Sequence, residues 1–216
     1  MVRMSVIILT GRKYFARPQR SANNRPVNRK MQDRQPLPRV YKELPQGNHM
    51  PQNIPFHIVL IEPEIPPNTG NIARLCGATG TVLHLVGKLG FSTDDRQLKR
   101  AGLDYWSEVD IHYWDNLDAL KRAYPDGRFI YTSKKAARPH VKAEFRNGDF
   151  IVFGKETVGL PEELIRANWE NTVRIPIFGK VRSLNLSTAA GIVLYEALRQ
   201  TGRLEDPEPG ADERDS

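Results

Sequence analysis

Three segments of the chain combine polar side chains with glycines and prolines in a way that can hold a ligand. The first, EPEIPPNTGNIARLCGATG at 62–80, follows an apolar run in which only His57 is polar, so a buried strand leads into it. Pro66 and Pro67 break the chain, Asn68 is placed to cap a helix, and Arg74 falls on that helix's second turn. The second, DFIVFGKETVGLP at 149–161, runs from a buried strand into Gly154, Lys155, Glu156 and Gly159, with Pro161 opening a helix. Glycines at a strand end let a ligand approach the backbone closely. The third, RIPIFGKVRSLNLSTAA at 174–190, carries Ser183, Asn185 and Ser187 from a strand into the last helix. Such groups offer hydrogen bonds and a cation at the carboxyl edge of a sheet, where open α/β sheets take their ligands.

Several chemistries are excluded. Residues 149–161 do not form a phosphate-binding P-loop, because the glycine that should precede Gly154 is absent and Glu156 stands where Ser or Thr belongs. No GxGxxG follows a strand, so a dinucleotide fingerprint is missing. None of the three segments contains a histidine. His57, His84, His112 and His140 are scattered and read as strand or loop residues rather than bases. Cys76 is the single cysteine, which rules out an internal disulfide and fits a reducing, cytoplasmic compartment. Its neighbours Leu75 and Ala78 mark it as a small core residue rather than a nucleophile. No metal is implied.

The elements that must position these segments alternate. Strands are expected at 56–61, 81–86, 109–113, 128–132, 149–153 and 172–176, and helices at 69–79, 94–101, 115–123, 161–168 and 186–200, an α/β sheet covered by helices. No apolar run approaches the roughly 18 residues of a membrane helix. The net charge of +7 is unevenly spread, with +9 in residues 1–52, +2 in 53–200 and −4 in 201–216. The part expected to fold is thus nearly neutral, and basicity alone does not argue that it binds RNA. Residues 1–52 hold six prolines and few large apolar side chains after Ile8, so disorder is expected there. They read as a basic arm on RNA, a targeting segment, or a start placed ahead of Met50, and the lack of periodicity through residue 49 favours the last. Residues 53–201 form the expected domain, and 202–216 an acidic, frayed tail. The helix at 186–200 shows no wide polar face and must be covered on more than one side. With the small residues of 69–79 beside it, either a homodimer through these two helices or a tightly wrapped monomer would provide that cover.

In their order and spacing the three segments resemble the motifs of the SPOUT superfamily of RNA methyltransferases, most closely the TrmL/YibK type that methylates the ribose of the tRNA wobble nucleotide. The resemblance covers about residues 56–200 and includes RAGLDYW at 100–106. It implies an α/β fold whose C-terminal segment forms a deep trefoil knot, a rarity among proteins. It also implies S-adenosylmethionine held by the knotted loops and a homodimer with the site at the subunit interface. Cofactor contacts map to Thr132 and Ser133, Gly154 to Glu156, Ile175 and Ile177, and Ser183 and Leu184. The catalytic set maps to Asn68, Arg74, Glu156, Ser183 and Asn185. The long basic arm departs from the pattern.

Methyl transfer to a ribose hydroxyl is an in-line displacement from a sulfonium in which positive charge disperses, so alignment is the main demand and can supply up to about 7–11 kcal/mol. The resemblance gives Arg74 the task of activating the hydroxyl. A guanidinium is a poor base, since its pKa exceeds about 12. It can hold phosphate and ribose bidentately while the proton leaves elsewhere. An ion pair of Arg74 with Glu156 that merely ties loops together is the alternative. RNA recognition also needs stacking surfaces. Tyr105 and Trp106 beside Arg100 and Lys99 supply aromatic faces next to cations, although Trp106 can equally pack on the sheet. Lys134, Lys135 and Arg138 form a second basic cluster. The expected substrate is the anticodon loop of a small tRNA set, leucine acceptors being the family's usual targets. The alternatives are ribosomal RNA methylation and a non-catalytic RNA-binding module.

Overall fold

The computed structural model describes residues 56–91 and 109–205. The helix expected at 94–101, the residues Arg100, Tyr105 and Trp106, the arm at 1–52 and the tail beyond 205 lie outside the described residues. Seven strands form one sheet: β1 (Phe56–Ile61), β2 (Val82–Val86), β3 (Ile111–Trp114), β4 (Phe129–Thr132), β5 (Arg138–Pro139), β6 (Asp149–Phe153) and β7 (Thr172–Arg174). Their spatial order is β3-β2-β1-β6-β4-β7-β5, and every described pairing is parallel. The strands are short apolar runs because a parallel sheet is buried on both faces. Among the described residues four α-helices accompany them: α1 (Pro66–Thr79), α2 (Leu117–Ala123), α3 (Glu162–Ala167) and α4 (Leu186–Gln200).

Alternation along β1 divides the core in two. Phe56, Ile58 and Leu60 point to the face covered by α1 and α4, where they meet Ile72, Cys76, Val193 and Leu194. Val59 points to the opposite face with Leu120 of α2 and Ile165 of α3. Cys76 is fully buried, and burial pushes its thiol pKa well up, as befits a packing residue.

Two expectations about the helices are corrected. Asn68 does not cap α1. The helix begins at Pro66, Ile65 occupies the cap position without a side-chain bond, and the two prolines sit at the first helical positions. Proline is suited to that place because its missing N–H has no intrahelical partner to lose. Asn68 is therefore inside the first turn, and Arg74 lies on the third. On the last helix one side is uncovered in this chain. Thr188, Ile192, Tyr195 and Arg199 form an exposed stripe at helical spacing, while Leu194 is buried within this chain's own core. β7 also stops at Arg174, two residues early, and the two-residue β5 carries no apolar run that would announce it.

The α2/α3 face carries a row of rings. His57 stacks on Phe150 at 4.1 Å and 5°, and Phe150 stacks on Phe129. Trp114 Nε1 donates to His84 Nδ1 at 2.9 Å, which leaves His84's proton on Nε2, 2.9 Å from His57 Nδ1. Burial, reinforced by His112, pushes His57 down to about 3 against the opposing pull of Asp110. Burial, then His57 and His112, likewise hold His84 well below its ordinary value. Both rings are neutral in the folded chain, whereas an unfolded imidazole gains a proton near pH 6.5. Their contribution to stability is thus complete above about pH 6.5 and is lost as pH falls toward about 3. Heat denaturation should give a clearly lower midpoint at pH 5 than at pH 7, and His57→Phe should narrow the gap. Equal midpoints at the two pH values would contradict the assignment.

Candidate active site

At the carboxyl ends of β1, β4, β6 and β7 lies a cavity of about 810 Å³. Asn68 of α1 lines it, as do Thr132, Ser133 and Lys134 after β4. Gly154 and Glu156 after β6, and Ile175, Ile177, Ser183, Leu184 and Asn185 between β7 and α4, complete the expected set around it. Arg74 is not among the lining residues; it is exposed on α1.

One chain of hydrogen bonds joins the three sequence segments. Asn185 Nδ2 donates to Asn68 Oδ1 at 2.8 Å, and Asn68 Nδ2 donates to Glu156 Oε1 at 3.1 Å. Glu156 also accepts from the backbone N–H of Glu64 (2.8 Å) and Ile65 (3.2 Å). The carboxylate receives the two N–H groups that immediately precede α1 and complements the positive end of the helix dipole. The entry to α1 is thus held by a side chain some 90 residues away. Glu64 reaches back in turn, its Oε2 accepting from Thr157 Oγ1 at 2.7 Å and from Thr157 N–H at 3.3 Å. Lys155 pairs with Glu62, which raises the lysine's pKa through the hydrogen bond to that carboxylate. Glu62 itself has a φ of 49°, an unusual conformation for an L side chain beside a site. Glu156 is thus engaged at the start of α1 by the Glu64 and Ile65 N–H groups and by the Asn68 amide.

Asn185 is the N-cap of α4, accepting from the N–H groups of Ser187 (2.9 Å) and Thr188 (3.4 Å) and from Ser187 Oγ. Ser183 is exposed at the cavity without a hydrogen-bond partner among the described residues. Gly154 has a reason other than a ligand's approach. A Cβ there would fall 2.2 Å from Gly159 C, because the loop folds back on itself and Lys155 bridges to Gly159. Of the second basic cluster, Lys135 pairs with Glu162 (3.1 Å) and Arg138 donates to the Glu170 carbonyl, leaving Lys134 exposed at the cavity and unpaired among the described residues. No group of His, Cys, Asp or Glu among the described residues could hold a metal, and no described helix is long and apolar enough to cross a membrane.

The cavity suits an adenosyl group with a charged amino-acid tail. Ile175, Ile177 and Leu184 supply apolar contact, and the strand-end backbone supplies hydrogen bonds. Two residues matter that the sequence alone does not single out, Glu64 and Thr157, whose pairing crosses between segments and leaves no local signal.

Comparison with known proteins agrees with this geometry. Residues 55–195 match the SpoU rRNA methylase family. A tRNA (cytidine(34)-2'-O)-methyltransferase of Methylovorus glucosotrophus is 52% identical over 147 residues, 67% of this chain and 95% of that protein. A solved structure described as giving structural insights into the 2-OH methylation of C/U34 on tRNA is 46% identical, with a TM-score of 0.64 over 68% of this chain and 97% of that one. An AdoMet-bound rRNA methyltransferase from Sinorhizobium meliloti is 27% identical, with a TM-score of 0.59 over 67% of this chain and 56% of that one.

Proposed function

Since the chain belongs to the SpoU methylase family, whose members use S-adenosylmethionine, we propose that it methylates the 2'-hydroxyl of the wobble pyrimidine, C34 or U34, in a subset of tRNAs that includes leucine acceptors. The observation that carries this reading is the chain Glu156–Asn68–Asn185, which ties all three motif segments to one cavity. Identity of about 50% to proteins named for that reaction supports it.

The cofactor supplies an electrophilic methyl on a sulfonium. Thr132, Ser133, Gly154, Ile175, Ile177, Ser183 and Leu184 hold it against the strand ends. Glu156, Asn68 and Asn185 fix the relative positions of α1, the 154–160 loop and the start of α4, which is the alignment the displacement needs. Ser183 is placed at the cavity to hold the ribose. Arg74 binds the phosphate and ribose bidentately and steadies the hydroxyl as it loses its proton. Lys134 takes a neighbouring phosphate. The reading includes a C-terminal trefoil knot, supported by the return of the chain from β7 to pack α4 beside α1. It places the 53–201 domain in the cytoplasm, in keeping with a buried, unpaired Cys76.

A homodimer belongs to the same proposal, supported by the exposed Ile192 (37%) and Tyr195 (46%) on α4. Ile192→Glu should shift light-scattering mass toward the monomer and lower activity. Leu194 cannot report assembly, since a charge there strikes this chain's own core. A monomer mass for active wild-type protein at micromolar concentration would remove the dimer.

The function is tested by mass spectrometry of nuclease fragments from unmodified tRNA incubated with enzyme and S-adenosylmethionine. One methyl on the ribose of nucleotide 34 is expected. Methylation of a base, of another ribose, or of ribosomal RNA alone would overturn it.

A further inference from the structure

Residues 178–183, between β7 and α4, are exposed without interruption. Phe178 is 98% exposed. Phe56, Phe129, Phe145, Phe150 and Phe153 are buried and Phe91 is partly so, which leaves Phe178 the most exposed phenylalanine among the described residues. Ile177 before it and Ser183 and Leu184 after it line the cavity, so Phe178 lies on a segment whose two ends border the cavity. Val158 on the 154–160 loop, which also lines the cavity, is 77% exposed.

The charge around the ring has one sign. No Asp or Glu occurs between Glu170 and Glu196, whereas Arg174, Lys180 and Arg182 fall in that interval. Lys180 and Arg182 are exposed and have no acidic partner among the described residues. A flat apolar face set between free cations is complementary to single-stranded nucleic acid, which offers a π-face on each base and a negative charge on each phosphate.

Resting on the ribose-methylation reading, we infer that Phe178 is a stacking platform for an unpaired base next to the target nucleotide, with Lys180 and Arg182 holding the phosphates beside it. The stack accepts any base, because every base has a π-face. Phe178 therefore strengthens binding and orients the loop, while discrimination at the target is left to the cavity. It adds a third aromatic face to Tyr105 and Trp106, the two that the sequence alone brings forward.

The test uses the full chain and an unmodified anticodon stem-loop RNA carrying 2-aminopurine beside the target nucleotide. Wild type should change the probe's fluorescence on binding. Phe178→Ala should abolish that change and weaken binding by about tenfold, within the range expected for one base stack. The effect should fall on KM more than on kcat, and Phe178→Trp should restore binding. Lys180→Gln with Arg182→Gln should reduce the salt dependence of binding by about 0.7 log units for each phosphate that is no longer neutralised. Thermal midpoint and light-scattering mass should not move in Phe178→Ala, because almost nothing covers the ring. RNA affinity within about twofold of wild type would overturn the inference, and so would a change of mass, which would mean that a second copy covers Phe178. If wild type stacks the probe through Phe178 yet methylates elsewhere, the platform stands and the target assignment falls.

Discussion

Arg74→Ala is expected to lower methyl transfer at least about a hundredfold while leaving S-adenosylmethionine affinity within a few fold. Arg74 is exposed on the third turn of α1 and does not line the cavity. Its removal therefore should not disturb the residues proposed to hold the cofactor. It should misplace the acceptor, and a small misplacement in a reaction governed by alignment can cost about a hundredfold. Arg74→Lys should recover little, because a single ammonium cannot reproduce the bidentate grip. Single-turnover rates and calorimetric cofactor titration of the same sample check both halves. If cofactor binding disappears together with activity, Arg74 does not have the role proposed for it.

The second large effect is on the fold. At Gly154 an added Cβ would lie within 2.2–2.4 Å of Gly159 C, Leu160 N and Gly159 O. All three are backbone atoms, which cannot rotate aside as a flexible side chain would. Gly154→Ala must push the 154–160 loop away from β6 and with it Glu156 and Thr157, so their bonds to Glu64, Ile65 and Asn68 go too. A destabilisation of at least about 3 kcal/mol is expected, at the upper end of overpacking, or roughly 10 °C in the thermal midpoint for a domain of this size. Gly159→Ala is the control. It has a φ of +75° and nothing within 4 Å of the new atom, so only the left-handed conformation is penalised, by about 1–2 kcal/mol. Midpoints that fall equally in the two variants would refute the distinction.

What was legible in the sequence was what is local. β1 and β6 read true to the residue because each is a short apolar run bounded by breakers, and α4 because Asn185 caps it two and three residues ahead. The start of α1 was misplaced by three residues. Pro66 and Pro67 look like an interruption, yet they occupy the first two helical positions, where a missing N–H breaks no intrahelical bond. The exposed stripe on α4 escaped notice because Ile192 and Tyr195 are as apolar as the core, and only packing distinguishes the sides. Residues lining the cavity were legible through resemblance to a family. Their mutual bonds were not, because Asn68–Asn185 and Glu64–Thr157 join points that no periodicity relates. Phe178 was silent for the same kind of reason: a phenylalanine between strand and helix looks like core until its exposure is known.

The Glu156–Asn68–Asn185 chain also has a consequence for the order of events during synthesis. Its links span 88 and 117 residues, separations whose loop-closure entropy makes the bonds slow to form. As the polypeptide leaves the ribosome, β1, α1 and β2 emerge first, with the Asn68 amide lacking both of its eventual partners. The first partner arrives only after residue 156 and the second only after residue 185. A nascent chain can therefore lay down much of its sheet and still have no aligned site, so catalytic competence waits on synthesis past residue 185.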